Sequence, residues 1–487
     1  LNIYQRWAIR EYDQYSMFNV KYSMENRVTR FELKDLTDPS FVTPILLRAG
    51  MHQDGAGAKA AIFADSAKNL LKLGLDGKST AMAFFIPGRI EVLGKHTDYN
   101  GGSSILAAAE LGFCLVAVPR EDAQVRILAG NLDETAQFAM DPDLTPTIGH
   151  WSNYPMTAAR RIARNFPENL RGADVAFASD LPMASGMSSS SAMIVSSFLV
   201  LSAVNGLAQR PAYRQNIHSK ESLAGYLGTV ENGQSFGTLA GDKGVGTFGG
   251  SEDHTAMLCC TADTLTQYAY CPVKFQRRIP LPADYVFAVA SSGVVAEKTG
   301  LARDKYNRAS LLCSAAIKAW RDANGSAEIH LKAAIDSAPF AAGRMREILR
   351  RVKDAHFAPG DLLNRFEHFY AENEEIIPAA GDALAKGDMV AFGRHVDRSQ
   401  ELTGTLLGNQ VPETIFLAKT ARKLGADAAS AFGAGFGGSV WSLVAKDQAD
   451  ALIQEWRSAY SKEFPSRAQA AHFFVTRAGP GAFELEA

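Results

Sequence analysis

Four consecutive serines, Ser188 to Ser191, follow Gly186 within Leu181-Pro-Met-Ala-Ser-Gly-Met-Ser-Ser-Ser-Ser-Ala192 and lead straight into an apolar run ending at Leu207. Small residues let a backbone approach an anion closely, and the unpaired N–H groups of a first helical turn point at it. Serine hydroxyls at the same place can reach phosphate oxygens or a magnesium ion. A serine N-cap on a buried helix is the other reading, although four serines exceed what one cap requires.

Two other patterns with phosphate-binding chemistry fail on context. Gly77-Lys78-Ser79-Thr80 ends like a P-loop, but the glycine due five positions before Gly77 is Lys72. Gly244, Gly246 and Gly249 have the GxGxxG spacing but follow Gly241-Asp242-Lys243, which is no strand; Gly433, Gly435 and Gly438 repeat the spacing but precede the strand-like Ser439 to Val444. A dinucleotide fingerprint needs a strand before and a helix after, because the helix N-terminus holds the pyrophosphate. A Rossmann oxidoreductase is therefore excluded.

A phosphate loop must be held by strands and helices, and the pattern supplies both. Apolar spacing of three and four residues over Ala58 to Leu73 predicts a helix, punctuated by Gly74 to Ser79. Strands are expected over Ala83 to Ile86 and Ile90 to Leu93, divided at Pro87-Gly88, and over Ile105 to Pro119 and Ala173 to Ala178. Ala192 to Leu207 is expected as a buried helix. Tyr285 to Ala290 opens a second half with strands at Val440 to Val444 and Ala471 to Val475, and helices at Tyr306 to Ala323, Pro412 to Leu424 and Asp447 to Tyr460. Elements alternate without a fixed repeat, so the expected class is α/β plus α+β in two domains.

At 487 residues the chain exceeds a single core, and 47% hydrophobic against 21% charged residues is the balance of a globular protein. A net charge of -2 without a basic cluster leaves no footprint for nucleic acid or a membrane surface and favours small-molecule ligands. The five cysteines show no CxxC pair, so neither a disulfide framework nor a structural zinc site is expected. Leu181 to Gln209 carries no charge, but its apolar part, Ala192 to Leu207, is 16 residues with three serines, short of a span of about 20. Leu1 to Tyr12 lacks a charged head and apolar run, so no signal peptide is expected, and a cytoplasmic monomer or small homo-oligomer is.

Three separated segments carry a resemblance. Pro87-Gly-Arg-Ile-Glu-Val-Leu-Gly-Lys-His-Thr-Asp-Tyr-Asn-Gly-Gly102 resembles the N-terminal motif of galactokinases. Leu181 to Ala192 resembles the second motif of the GHMP kinases, the superfamily that includes galactokinase, homoserine kinase and mevalonate kinase. Phe432-Gly-Ala-Gly-Phe-Gly-Gly-Ser439 resembles the third. The likeness covers residues 81 to 487, and three motifs in order are far more specific than one. It implies an N-terminal GHMP kinase domain over 81–283 and a ferredoxin-like C-terminal domain over 284–487, with ATP and sugar in the cleft between, while residues 1–80, mostly outside the likeness, read from their own pattern as a helical N-terminal extension.

Residue by residue, the resemblance implies Arg89 and Asp253 as the catalytic pair. Gly250-Ser-Glu-Asp253-His matches the family's Gly-x-x-Asp, with Glu252 and His254 where the family more often has Met and Gln. Sugar-binding positions carry over to His96, Asp98, Gly250 and Tyr306, and ATP-binding positions to Gly186, Ser188, Ser189, Ser190, Ser191 and Gly435. Ser190 and Glu231 are the implied Mg²⁺ ligands. In such a site Asp253 accepts the proton of a sugar hydroxyl while Arg89 keeps it ionised and faces the γ-phosphate. One departure concerns specificity: Lys95 stands where galactokinases have a glutamate that meets the sugar's C6 hydroxyl. Lysine only donates, so a C6 carboxylate, as in galacturonate, would suit it as a charge-assisted partner. The remaining alternative is a non-catalytic sugar sensor on the same fold.

Overall fold

The computed structural model describes residues 30–182, 186–294 and 300–486. The first short strand, β1 (Phe31–Glu32), pairs antiparallel with β2 (Thr80–Leu93), and β2 with β3 (Ser103–Pro119). β4 (Gln124–Ala129) and β5 (Glu134–Ala139) form an antiparallel pair, and β4 runs parallel to β6 (Ala173–Ser179), which is antiparallel to the Phe113–Pro119 half of β3. The other end of β3, Ser103–Leu106, pairs with β7 (Thr264–Ala269), itself paired with β8 (Lys274–Pro280).

From Ala81 onward every residue of β2 is buried, because the sheet is covered on both faces. Alternate residues take opposite sides. Met82, Phe84 and Ile86 enter the central core with Ile194, Val195 and Phe198 of the helix Ser189–Asn205. Ala81, Ala83 and Phe85 face Phe63, Ala67 and Leu70 of the helix Gln53–Lys72. The described part of the expected extension thus forms a layer packed on the first sheet. The break expected at Pro87-Gly88 is instead a register slip between Pro87 and Arg89 within one continuous strand. Proline offers no N–H to the ladder, and an irregularity is where a sheet tolerates it.

The second sheet has the order β10 (Ala428–Phe432), β11 (Ser439–Ala445), β9 (Tyr285–Ser291), β12 (His472–Thr476), all antiparallel. Leu417, Ala421, Leu452, Trp456 and Tyr460, from the helices Pro412–Lys423 and Ala449–Glu463, cover one face. Between β9 and β10 lies a run of helices with a core of its own, including Trp320, Met345, Phe366 and Phe369. A last strand, β13 (Phe483–Glu484), returns to the first sheet opposite Phe85 and Phe84 of β2. Among the described residues no helix is long and apolar enough to cross a membrane, and all five cysteines are free thiols.

Candidate active site

The slip in β2 leaves Arg89 pointing into a cleft between the two sheets, of about 510 Å³ with its open mouth included. Arg89 is 3% exposed. Its Nε donates to Asp253 Oδ1 at 2.7 Å and its Nη1 to the Gly186 carbonyl at 2.5 Å, and its guanidinium lies 5.7 Å from the centre of the Phe432 ring. Asp253 stands in the first turn of the helix Glu252–Cys259, and its Oδ2 accepts from Ser188 Oγ at 2.6 Å and Ser191 Oγ at 3.2 Å. Three segments far apart in the chain therefore meet on one Arg–Asp pair. Gly433 closes the arrangement: at φ +81°, a Cβ there would lie 2.9 Å from the Gly186 carbonyl and 3.2 Å from Arg89 Nη2.

Burial disfavours the Arg89 charge, but Asp253, Glu91 and Glu252 outweigh that and hold its pKa above the ordinary value. Glu91 lies two residues beyond Arg89 on β2, and its Oε2 accepts from the Gly433 N–H at 3.3 Å. Burial pushes the Glu91 carboxyl up to about 7, against the pull of Arg89 and Lys95. Glu252 is pushed well above its ordinary value, first by burial and then by the Glu91 charge. Folded Glu91 thus keeps a proton that the unfolded chain loses in the ordinary carboxylate range. The contribution of Glu91 to stability is full below that range and is lost as pH rises through about 7. Glu91→Gln, which imitates the protonated form, should gain Tm relative to the parent between pH 5 and pH 8; a pH-independent difference in parallel thermal melts would refute this.

The turn after β2 carries the expected sugar contacts. His96, at φ +56°, places Nδ1 2.9 Å from Tyr99 Oη and Nε2 3.3 Å from the Ala434 carbonyl, with its ring 5.4 Å from that of Tyr306. Asp98 Oδ2 accepts from the Glu252 N–H at 3.1 Å, and burial raises its pKa. A Cβ on Gly250 would stand 2.3 Å from that same oxygen, so only glycine lets the two segments meet. The turn is gripped from behind: Glu372 accepts from the Gly94 N–H at 2.9 Å and Asn373 from the Ser103 N–H at 2.6 Å, both from a π-helical turn, Ala371–Ile376. Buried Arg365 donates to the His96 carbonyl.

Of the expected residues, Arg89, His96, Asp98, Ser191, Glu231, Gly250, Asp253 and Tyr306 line the cleft. Gly186 and Ser188 touch the Arg–Asp pair from its edge. Ser189 and Ser190 are half-buried at the start of their helix, and Met183 to Ser185 of the same motif lie outside the described residues. Gly435, at φ +80°, packs on Asn409 rather than on the cleft. Lys95 is not among the lining residues either: it is 1% exposed, and its Nζ donates to Ser399 Oγ at 3.3 Å, which donates to Glu372 Oε1 at 3.1 Å. Its ammonium lies in a buried relay with Ser399 and Glu372.

Glu91, Glu252 and His254 also line the cleft and were not expected. Glu91 had a signal, since residues two apart on a strand share a face. For Mg²⁺, Ser190 and Glu231 supply hard oxygens, and Glu231 Oε2 already accepts from Ser191 Oγ at 2.7 Å beside Ser190. No cluster of three or more acidic, His or Cys ligands exists among the described residues. That donor set fits Mg²⁺, which typically takes one or two protein oxygens and fills its shell with phosphate and water.

Comparison with known proteins agrees with this geometry. Residues 76–119 match the galactokinase galactose-binding signature, 153–237 the GHMP kinases N terminal domain and 382–462 the GHMP kinases C terminal domain. The galactokinase of Roseiflexus sp. (strain RS-1) is 29% identical over 399 residues, 81% of this chain and 90% of that one. That of Actinobacillus pleuropneumoniae serotype 3 (strain JL03) is 26% identical over 390 residues, 80% and 91%. The crystal structure of Lactococcus lactis galactokinase complexed with galactose shares the fold, with a TM-score of 0.68 at 24% identity over 83% of this chain and 95% of that one.

Proposed function

We propose that this chain, a galactokinase-like member of the GHMP kinase superfamily, transfers the γ-phosphate of ATP to the anomeric hydroxyl of galactose or a galactose-like sugar. The observation that carries the reading is the Arg89–Asp253 pair, held in the cleft by the serine loop on one side and the Gly433 turn on the other. Phosphoryl transfer asks a protein chiefly for positioning and charge neutralisation. Asp253 Oδ1 or Oδ2 takes the proton from the attacking hydroxyl as it meets phosphorus. Arg89, fixed by Asp253 and the Gly186 carbonyl, presents its remaining N–H groups to the developing charge on the transferred group. Ser188 and Ser191 orient the Asp253 carboxylate, and His96, Asp98 and Tyr306 offer donors and acceptors to the sugar hydroxyls. Ser190 and Glu231 would hold Mg²⁺, which supplies charge screening for the triphosphate.

The test is ADP release from ATP and Mg²⁺ with galactose, galacturonate, glucuronate, N-acetylgalactosamine and arabinose. Galactose is expected to turn over best, because an anionic sugar would have to draw Lys95 away from Ser399 and would face the carboxylates of Asp253 and Glu231. A preference for galacturonate would restore Lys95 as the specificity residue. Silence on every sugar would point to a sensor.

A further inference from the structure

Nothing before Thr80 takes part in the reaction above, yet a charged side chain from that region lies in the interior. Lys59, on the helix Gln53–Lys72, is 1% exposed, and its Nζ donates to Asp180 Oδ2. Lys59 is the only ion-pair partner of Asp180 among the described residues. A buried ammonium is kept only when paired, and an apolar side chain of similar length would fill the space without the desolvation cost. What the charge adds is a fixed position for Asp180.

That position is a junction. Asp180 follows the last residue of β6 and precedes Leu181, where the serine loop begins. Its Oδ1 accepts from the Gly112 N–H at 2.9 Å. Gly112 stands opposite Pro87 in the β2–β3 ladder, at the slip that turns Arg89 into the cleft. Ser179 Oγ donates to the Gly112 carbonyl at 3.0 Å and accepts from the Leu181 N–H at 3.1 Å. Leu181 then packs against Gly88 so closely that a Cβ there would lie 2.6 Å from Leu181 Cδ2. On the far side of the loop, the Arg89 N–H donates to the Met187 carbonyl at 3.3 Å. The loop is therefore held against the Arg89 strand at both ends, by Leu181 on Gly88 and by Met187 on Arg89, and Asp180 fixes its entry through Gly112 of the neighbouring β3.

We propose that Lys59 is a positioning residue for the nucleotide: by holding Asp180 it sets the serine loop against Arg89, which makes the N-terminal helical layer part of the ATP-binding apparatus. This rests on the kinase reading. The test is the double variant Lys59→Met/Asp180→Asn, which removes both charges together and keeps an acceptor for the Gly112 N–H. The KM for ATP should rise about tenfold while the KM for the sugar stays unchanged. A folded double variant with both KM values unchanged would make the pair purely structural and overturn the proposal.

If the parent enzyme releases no ADP with any sugar, the kinase reading fails, and calorimetric titration with Mg²⁺-ATP takes over. There a tenfold weaker double variant supports the proposal, whereas equal affinities, or no binding by the parent, overturn it. Should the double variant not fold, Asp180→Asn alone is read in the same way.

Discussion

Asp253→Asn should lower kcat by about 10³-fold while leaving the fold intact, as removal of a general base typically costs 10² to 10⁴. Asparagine keeps the shape of aspartate and one acceptor for Arg89 Nε. Its amide can face Ser188 and Ser191, whose hydroxyls can turn to accept. What it cannot do is take a proton from the sugar. Binding of ATP and sugar should therefore survive with little change in Tm. Steady-state kinetics beside a thermal melt tests this, and a kcat within tenfold of the parent would remove Asp253 from the role of base.

Arg89→Lys should lose about 10² to 10³ in kcat, the range found when one preorganised charge-stabilising donor is removed. The charge is kept, so the buried carboxyls of Asp253, Glu91 and Glu252 still face a cation. The fork is lost. Arg89 binds Asp253 through Nε and the Gly186 carbonyl through Nη1 at once, and an ammonium on a flexible stem cannot span both while facing a phosphate. If the variant turned over at the parent rate, charge alone would suffice and the guanidinium geometry would carry no catalytic weight.

Elements with strong apolar patterns were legible in the sequence. The strand expected at Ile105 to Pro119 is Ser103–Pro119, and the helix expected at Pro412 to Leu424 is Pro412–Lys423. Elements whose pattern is mixed were not. β4 and β5 alternate half-exposed polar residues such as Gln124, Arg126 and Glu134, and β10 is Ala-Ala-Ser-Ala-Phe, whose composition leans to helix until a sheet buries it. The same divide runs through the site. Arg89, Asp98 and Asp253 sit in motifs with local spacing, whereas Arg365, Glu372 and Asn373 reach the turn after β2 from a helical layer some 270 residues downstream, where nothing local marks them. Lys95 was legible as a departure, but its direction depends on Ser399, which sequence spacing cannot place.

The return of β13 to the first sheet has a mechanical consequence. The backbone crosses between the two sheets at Leu281 and again at Ala478, and both crossings are bonded to one residue: the Leu281 N–H donates to the Asp263 carbonyl at 3.0 Å, and the Asp263 N–H to the Ala478 carbonyl at 2.9 Å. A single tether would let one half swivel freely about it. Two tethers side by side, with Phe432 and Trp441 in the same buried core as Ile86 and Ile90, hold the second sheet against twisting over Arg89.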